Sequence, residues 1–221
     1  MKSVAEKALH NVVDEIDRYL GRLDGPGVAD VRAGIMRWGQ GSIRPASPQH
    51  LSTNKRMSEA LALLRADGEV AFALALEAVD PYLRWVAYDY YPRSEIGEAF
   101  AGGHAFASLI GERGSIMGAD YDLGLFLIEP GVLYRDHRHA APELYAPLTG
   151  PHGWRFAPLE PLSWKPAHQP IWNEAHQHHA IRVGNVPFLC IFGWTSDVNE
   201  IATVIRSDDW VELEETVLSS T

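Results

Sequence analysis

The chain has 221 residues, enough for one medium domain or for a domain with an appended helical part. Its net charge of −10 argues against a nucleic-acid backbone or an anionic membrane as main partner, because both demand clustered Lys and Arg. A small zwitterionic or cationic ligand is compatible with that acidity. In chain order, the first third reads as helical. Ser3-Val-Ala-Glu6 fits a capping box, and Val4, Ala8, Val12, Ile16 and Leu20 follow at helical spacing until Gly21. A second short helix is expected over 28–38, then a loop through GQGSIRPASPQHLST, then helices over 55–65 and 69–79. Asp80-Pro81 ends the last of these.

From about Leu83 the texture changes. LRWVAY, FASLI, DLGLFLIE, ELYAPL, WRFAPL, AIRV and PFLCIFGW are short runs of β-branched and aromatic residues, separated by Gly, Pro, Asn and Asp. Many short strands at that spacing indicate a mainly β architecture, an antiparallel barrel or jelly roll. The expected organisation is a helical region over 1–82 packed against a barrel over 83–221 as one structural unit. The one cysteine, Cys190, lies inside the last run and reads as a small buried hydrophobe; a lone thiol cannot close an internal disulfide. No apolar run reaches the ~18 residues of a membrane span, and the N-terminus carries acids where a signal peptide is apolar. The expected location is the cytoplasm.

Seven of the ten histidines fall between His137 and His179, far more than even scatter would place there. In a strand, residues i and i+2 share a face, so His137 and His139 share one side, as do Glu143 and Tyr145 after the Ala-Ala-Pro turn. Two imidazoles and a carboxylate converging in this way make a facial set of ligands for a divalent metal, with positions left open for substrate. Asp136 and Arg138 alternate with the histidines and should face the other way.

This stretch resembles the first motif of the cupin superfamily: Gly131, five residues, His137-x-His139, three residues, Glu143, six residues, Gly150. The resemblance implies a jelly-roll barrel and one more histidine ligand from a later strand. The second motif is degenerate here, with Glu174 and His176 where Pro and Gly are usual and Val183 where Asn is usual. His179 is the candidate because it opens the strand HAIRV, with His176 and His178 as alternates.

Tyr134 three before His137, Tyr145 two after Glu143, Trp194 fifteen after His179 and HAIR at the second motif narrow the likeness further. From about Asp122 to Trp194 the chain is similar to cupin-type dimethylsulfoniopropionate (DMSP) lyases. That resemblance implies cleavage of DMSP to dimethyl sulfide and acrylate by β-elimination. It also implies His137, His139, Glu143 and His179 as ligands of a divalent transition metal (Fe, Mn, Zn, Ni or Co), Tyr145 as general base and Tyr134 as a second phenol. Trp194 would line the pocket. The roles are chemically coherent, since a metal-bound carboxylate stabilises charge developing on the adjacent carbon and a nearby cation favours phenolate over phenol. A sulfonium is attracted to aromatic faces by up to ~2 kcal/mol when desolvated, a role open to Trp194, Trp172 and the cluster from Tyr88 to Tyr91. The same ligands also suit an iron-dependent dioxygenase or a small-molecule isomerase, and a non-enzymatic binding cupin is a third reading. Pairing into a homodimer is compatible with each.

Overall fold

The structure is a computed structural model that describes residues 3–44 and 47–216. Helix α1 (Val4–Leu20) starts as its sequence requires: the Ser3 hydroxyl accepts from the Glu6 amide, and the Glu6 carboxylate accepts from the Ser3 amide. Its inner stripe is Leu9, Val12, Val13, Ile16, Tyr19 and Leu20, whereas Val4 is exposed. The stripe packs against α2 (Val28–Trp38) and α4 (Val70–Val79), and α3 (Met57–Ala66) lies alongside α4. Two short helices, α5 (Arg93–Ile96) and α6 (Glu98–Gly103), precede the first strand.

Among the described residues eleven strands follow: β1 (His104–Gly111), β2 (Ile116–Met117), β3 (Asp122–Ile128), β4 (Leu133–Arg138), β5 (Glu143–Pro147), β6 (His152–Arg155), β7 (Ser163–Lys165), β8 (Ile171–Asn173), β9 (His179–Val183), β10 (Phe188–Trp194) and β11 (Thr203–Val204). Helix α7 (Trp210–Glu215) closes the described chain. One sheet runs β2-β1-β3-β10-β5-β8 and the other β11-β4-β9-β6-β7, and their inner faces meet in one interior.

Period-two alternation divides the apolar residues between two cores. On β3, Leu123, Leu125 and Leu127 turn outward and join the helices, together with Leu144, Ala146, Leu189 and Ile191 of the neighbouring strands. Phe126 and Ile128 turn inward with Tyr145, Ile181, Phe188, Cys190 and Phe192. Each such side chain, fully buried, stabilises the fold by about 1.5–3 kcal/mol. Gly193 permits the helical layer to approach: a Cβ there would stand 2.7 Å from the Val31 side chain of α2.

The run LRWVAY, expected as a strand, forms only isolated bridges, Arg84 with Gln49 and Val86 with Phe106. Its polar groups are committed elsewhere. Trp85 donates its indole N–H to Asp80 at 2.8 Å, and the Tyr88 amide donates to His104 Nε2 at 2.8 Å.

Candidate metal centre

His137 on β4 and His179 on β9 are direct register partners, with ring centroids 4.0 Å apart. His139 follows β4 by one residue and faces the same interior, 5.2 Å from the His179 ring. One imidazole nitrogen from each of the three lies within 4.8 Å of the others, and all three rings are buried. Tyr134 also faces inward although it lies three residues before His137. A bulge makes this possible: β4 advances from Tyr134 to His137 while β9 advances only from Ile181 to His179. The extra residue sends both Arg135 and Asp136 outward, Arg135 to Glu214 and Asp136 to Arg155.

The tautomers are set by the backbone. The Nδ1–H of His137 donates to the Arg135 carbonyl at 2.8 Å, that of His139 to Ala141 at 2.8 Å, and that of His179 to Gln177 at 3.0 Å. Each Nε2 is therefore a lone pair aimed inward, the arrangement of metal-binding histidines held by outer hydrogen bonds. Among the described residues, Nε2 of His137 and of His179 is buried without a hydrogen-bond partner. His139 Nε2 stands 2.9 Å from Glu143 Oε2, and His179 Nε2 stands 3.7 Å from the same oxygen. Two lone pairs facing at that distance repel unless a proton or a cation lies between them. Burial, reinforced by the neighbouring imidazoles, holds His137 well below the usual histidine range and His179 down to about 3, so both rings stay neutral and ready to ligate. Three imidazoles and a carboxylate suit a divalent transition metal.

The six-stranded sheet supplies the opposite wall. Asp122 pairs with Trp194, Trp194 with Glu143, and Glu143 with Asn173, so one transverse row crosses β3, β10, β5 and β8 on the inner face. Tyr145, next inward from Glu143, lies 6.0 Å from His179 between ring centroids. Burial, with the Glu143 carboxylate adding to it, pushes its phenol well above the usual range. Tyr134 stacks between Phe100 at 3.9 Å and His137 at 3.7 Å, and its hydroxyl is 2.8 Å from that of Tyr91. The Trp194 ring is 4.7 Å from His139.

His137, His139, Glu143, His179, Tyr145, Tyr134 and Trp194 are thus brought together at one end of the shared interior. Trp172 does not join them. It alternates with Ile171 and Asn173, so it faces the helices, where a Cβ on Gly27 would come within 1.9 Å of its ring. At Gly27 the backbone is left-handed, φ 76°, which suits glycine and keeps that approach open. His176 is exposed and His178 half-buried, both outside the triad. Two inner residues went unread in the sequence. Asn173 signals itself only as a polar residue closing an apolar pair, and Asp122 only by opening its strand. Asp122 accepts from Ser108 at 3.0 Å, and burial raises its carboxyl to about 7.

Two facing, mainly antiparallel sheets with a histidine triad and an acid at one end of their shared interior define a cupin-like fold with a candidate metal site. The model of the dimethylsulfoniopropionate lyase family matches residues 42–190, and the chain belongs to that family of carbon–sulfur lyases. By fold it is similar to the DMSP lyase DddQ from Ruegeria pomeroyi DSS-3, at TM-score 0.69 and 20% identity, over 92% of this chain and 98% of that one. A structure of the DMSP lyases RdDddP and RnDddQII gives TM-score 0.68 and 19% identity, over 91% of this chain and all of the other. No curated protein matches the chain by sequence.

Proposed function

We propose that this protein cleaves DMSP to dimethyl sulfide and acrylate, with His137, His139, Glu143 and His179 holding a divalent metal and Tyr145 acting as general base. The observation that carries the reading is the set of inward Nε2 lone pairs meeting the Glu143 carboxylate opposite a buried phenol. When bound, a divalent transition metal supplies positive charge that polarises the substrate carboxylate and favours ionisation of a nearby phenol.

The residues of the chain perform the rest. Tyr145 Oη takes the proton from the carbon beside the carboxylate. The electrons of that C–H bond form the carbon–carbon double bond, the C–S bond breaks, and dimethyl sulfide leaves with the electron pair of that bond. The proton on Tyr145 then returns to solvent. Without a cation the site makes Tyr145 a poor base, because burial and the Glu143 carboxylate both favour the neutral phenol. Trp194 offers an aromatic face to the sulfonium, and Tyr134, braced by Phe100 and Tyr91, is the second phenol of the pocket wall.

Headspace gas chromatography over metal-loaded protein and DMSP tests this. Wild-type protein should release dimethyl sulfide, and Tyr145→Phe should lose roughly 10²–10⁴-fold in rate with its metal content intact. An active Tyr145→Phe protein would remove Tyr145 from the role of base. Wild-type protein inert towards DMSP with every candidate metal would remove the substrate.

A further inference from the structure

Asn173 is completely buried, and among the described residues neither its amide nitrogen nor its amide oxygen has a hydrogen-bond partner. An amide desolvated on both ends destabilises a fold unless something else occupies it. Its place is specific: it stands opposite Glu143 in register and alternates with Trp172, so it faces the interior. Among the described residues no hydrogen bond joins the Asn173 side chain to Glu143, whose carboxylate stands 2.9 Å from His139 and beside the Tyr145 phenol. The surroundings are rich in acceptors: two unpartnered imidazole lone pairs, the Glu143 carboxylate and, at the far end of the row, Asp122 Oδ1. The unpartnered donors of the row are the indole N–H of Trp194 and the amide N–H of Asn173. Trp194 is the direct neighbour of Asp122, whose unpartnered carboxyl oxygen is an acceptor and suits a cation better than an anion. Asn173 lies three strands from Asp122, on the order of 14 Å at the ordinary strand spacing. The row therefore carries a free amide N–H at one end, beside the candidate metal ligand Glu143, and the Trp194 indole with Asp122 towards the other.

We infer that Asn173 is the carboxylate-binding residue of the pocket, donating its amide N–H to the carboxylate of a zwitterionic substrate whose cationic end lies towards Trp194 and Asp122. This rests on the lyase reading of the site and adds to it the direction in which the substrate lies. The bond strengthens as the reaction proceeds. Loss of the proton beside the carboxylate moves negative charge onto the carboxylate oxygens, so a fixed donor there stabilises the transition state more than the ground state.

The test uses metal-loaded wild-type protein, Asn173→Leu and Asn173→Asp, with three readouts besides metal content: steady-state kinetics on DMSP, calorimetric titration with propionate, and Tm. The expected Asn173→Leu protein keeps its metal and melts no lower than wild type, because an unpartnered amide contributes nothing to stability. Its kcat falls about 100-fold or more and its propionate affinity at least tenfold. Asn173→Asp, which keeps the shape but adds a negative charge, should lose at least as much propionate affinity. Wild-type kcat and propionate affinity in Asn173→Leu would overturn the inference. So would a lower Tm with kcat unchanged, which marks a structural amide, or loss of metal, which marks a support for Glu143. If wild-type protein releases no dimethyl sulfide yet binds propionate through Asn173, the DMSP reading fails and the assignment of Asn173 stands.

Discussion

Each histidine of the triad commits its Nδ1 proton to a carbonyl within two residues of itself, and this leaves three Nε2 lone pairs facing one another. A second kind of buried histidine serves the wall of the pocket. His104 donates from Nδ1 to the Phe100 carbonyl at 2.6 Å and accepts the Tyr88 amide on Nε2, which fixes the segment that brings Tyr91 to Tyr134. Burial lowers its pKa from 6.5 to about 4. Between those values the unfolded chain binds the proton more readily than the folded one, so stability falls as pH drops from about 6.5 to about 4. Below that it loses nothing further from this group. The full effect is roughly 3 kcal/mol. His104→Gln should therefore show a shallower fall of Tm across that window than wild type; identical slopes would contradict this account of His104. Much of this scale was legible. His137 and His139 share a face because a two-residue step keeps side chains on one side, and Glu143 joins them through the cupin-like motif that the sequence resembles. His179 was one choice of three, since His176, His178 and His179 differ only in where the strand begins. The parity of a three-residue strand cannot be read from its composition, so neither the helix-facing side of Trp172 nor the inward side of Asn173 was legible.

At the scale of elements, the bulge in β4 does most to shape the site. It lets Tyr134 and His137 share an interior and turns Asp136 outward into a buried cluster that anchors α7. Arg155 Nε donates to Asp136 at 3.0 Å and Arg155 Nη2 to Asp209 at 3.0 Å, while the Trp210 indole donates to Asp136 at 2.7 Å. Asp136 and the Arg155 side chain are almost wholly buried. Removing one partner strands the other charge out of water, so Arg155→Met should cost about 3–5 kcal/mol in denaturant unfolding. Arg155→Met combined with Asp136→Leu should recover most of that loss, because the pair is then replaced by apolar side chains of similar volume. A double variant no more stable than the single one would show that the ion pair is not what holds α7. The sequence placed Asp136 on the face opposite the histidines but gave no sign of its partner, which lies nineteen residues on in a strand of unreadable register. The long helices and apolar strands were legible from periodicity. The 83–88 run was not, because its pairing is decided by Asp80 and His104, side chains outside it.

Across the whole molecule, two cores divide the work. One joins the helices to the outer face of the six-stranded sheet, and the other fills the space between the sheets. The site lies where the sheets meet: His137 and His179 come from one sheet, and Glu143, Tyr145, Asn173 and Trp194 from the other. Its geometry is therefore set by sheet-on-sheet packing, a property of the fold rather than of any local segment. Among the described residues no helix is long and apolar enough to cross a membrane. The most direct check on the account is the stoichiometry of metal binding, measured by titrating chelator-stripped protein with divalent transition metals and repeating the titration on His137→Ala and His179→Ala. The account predicts one tightly held ion per wild-type chain and a loss of at least tenfold in affinity in each variant. A wild-type chain that binds no such ion, or variants that bind it as well as wild type does, would contradict it.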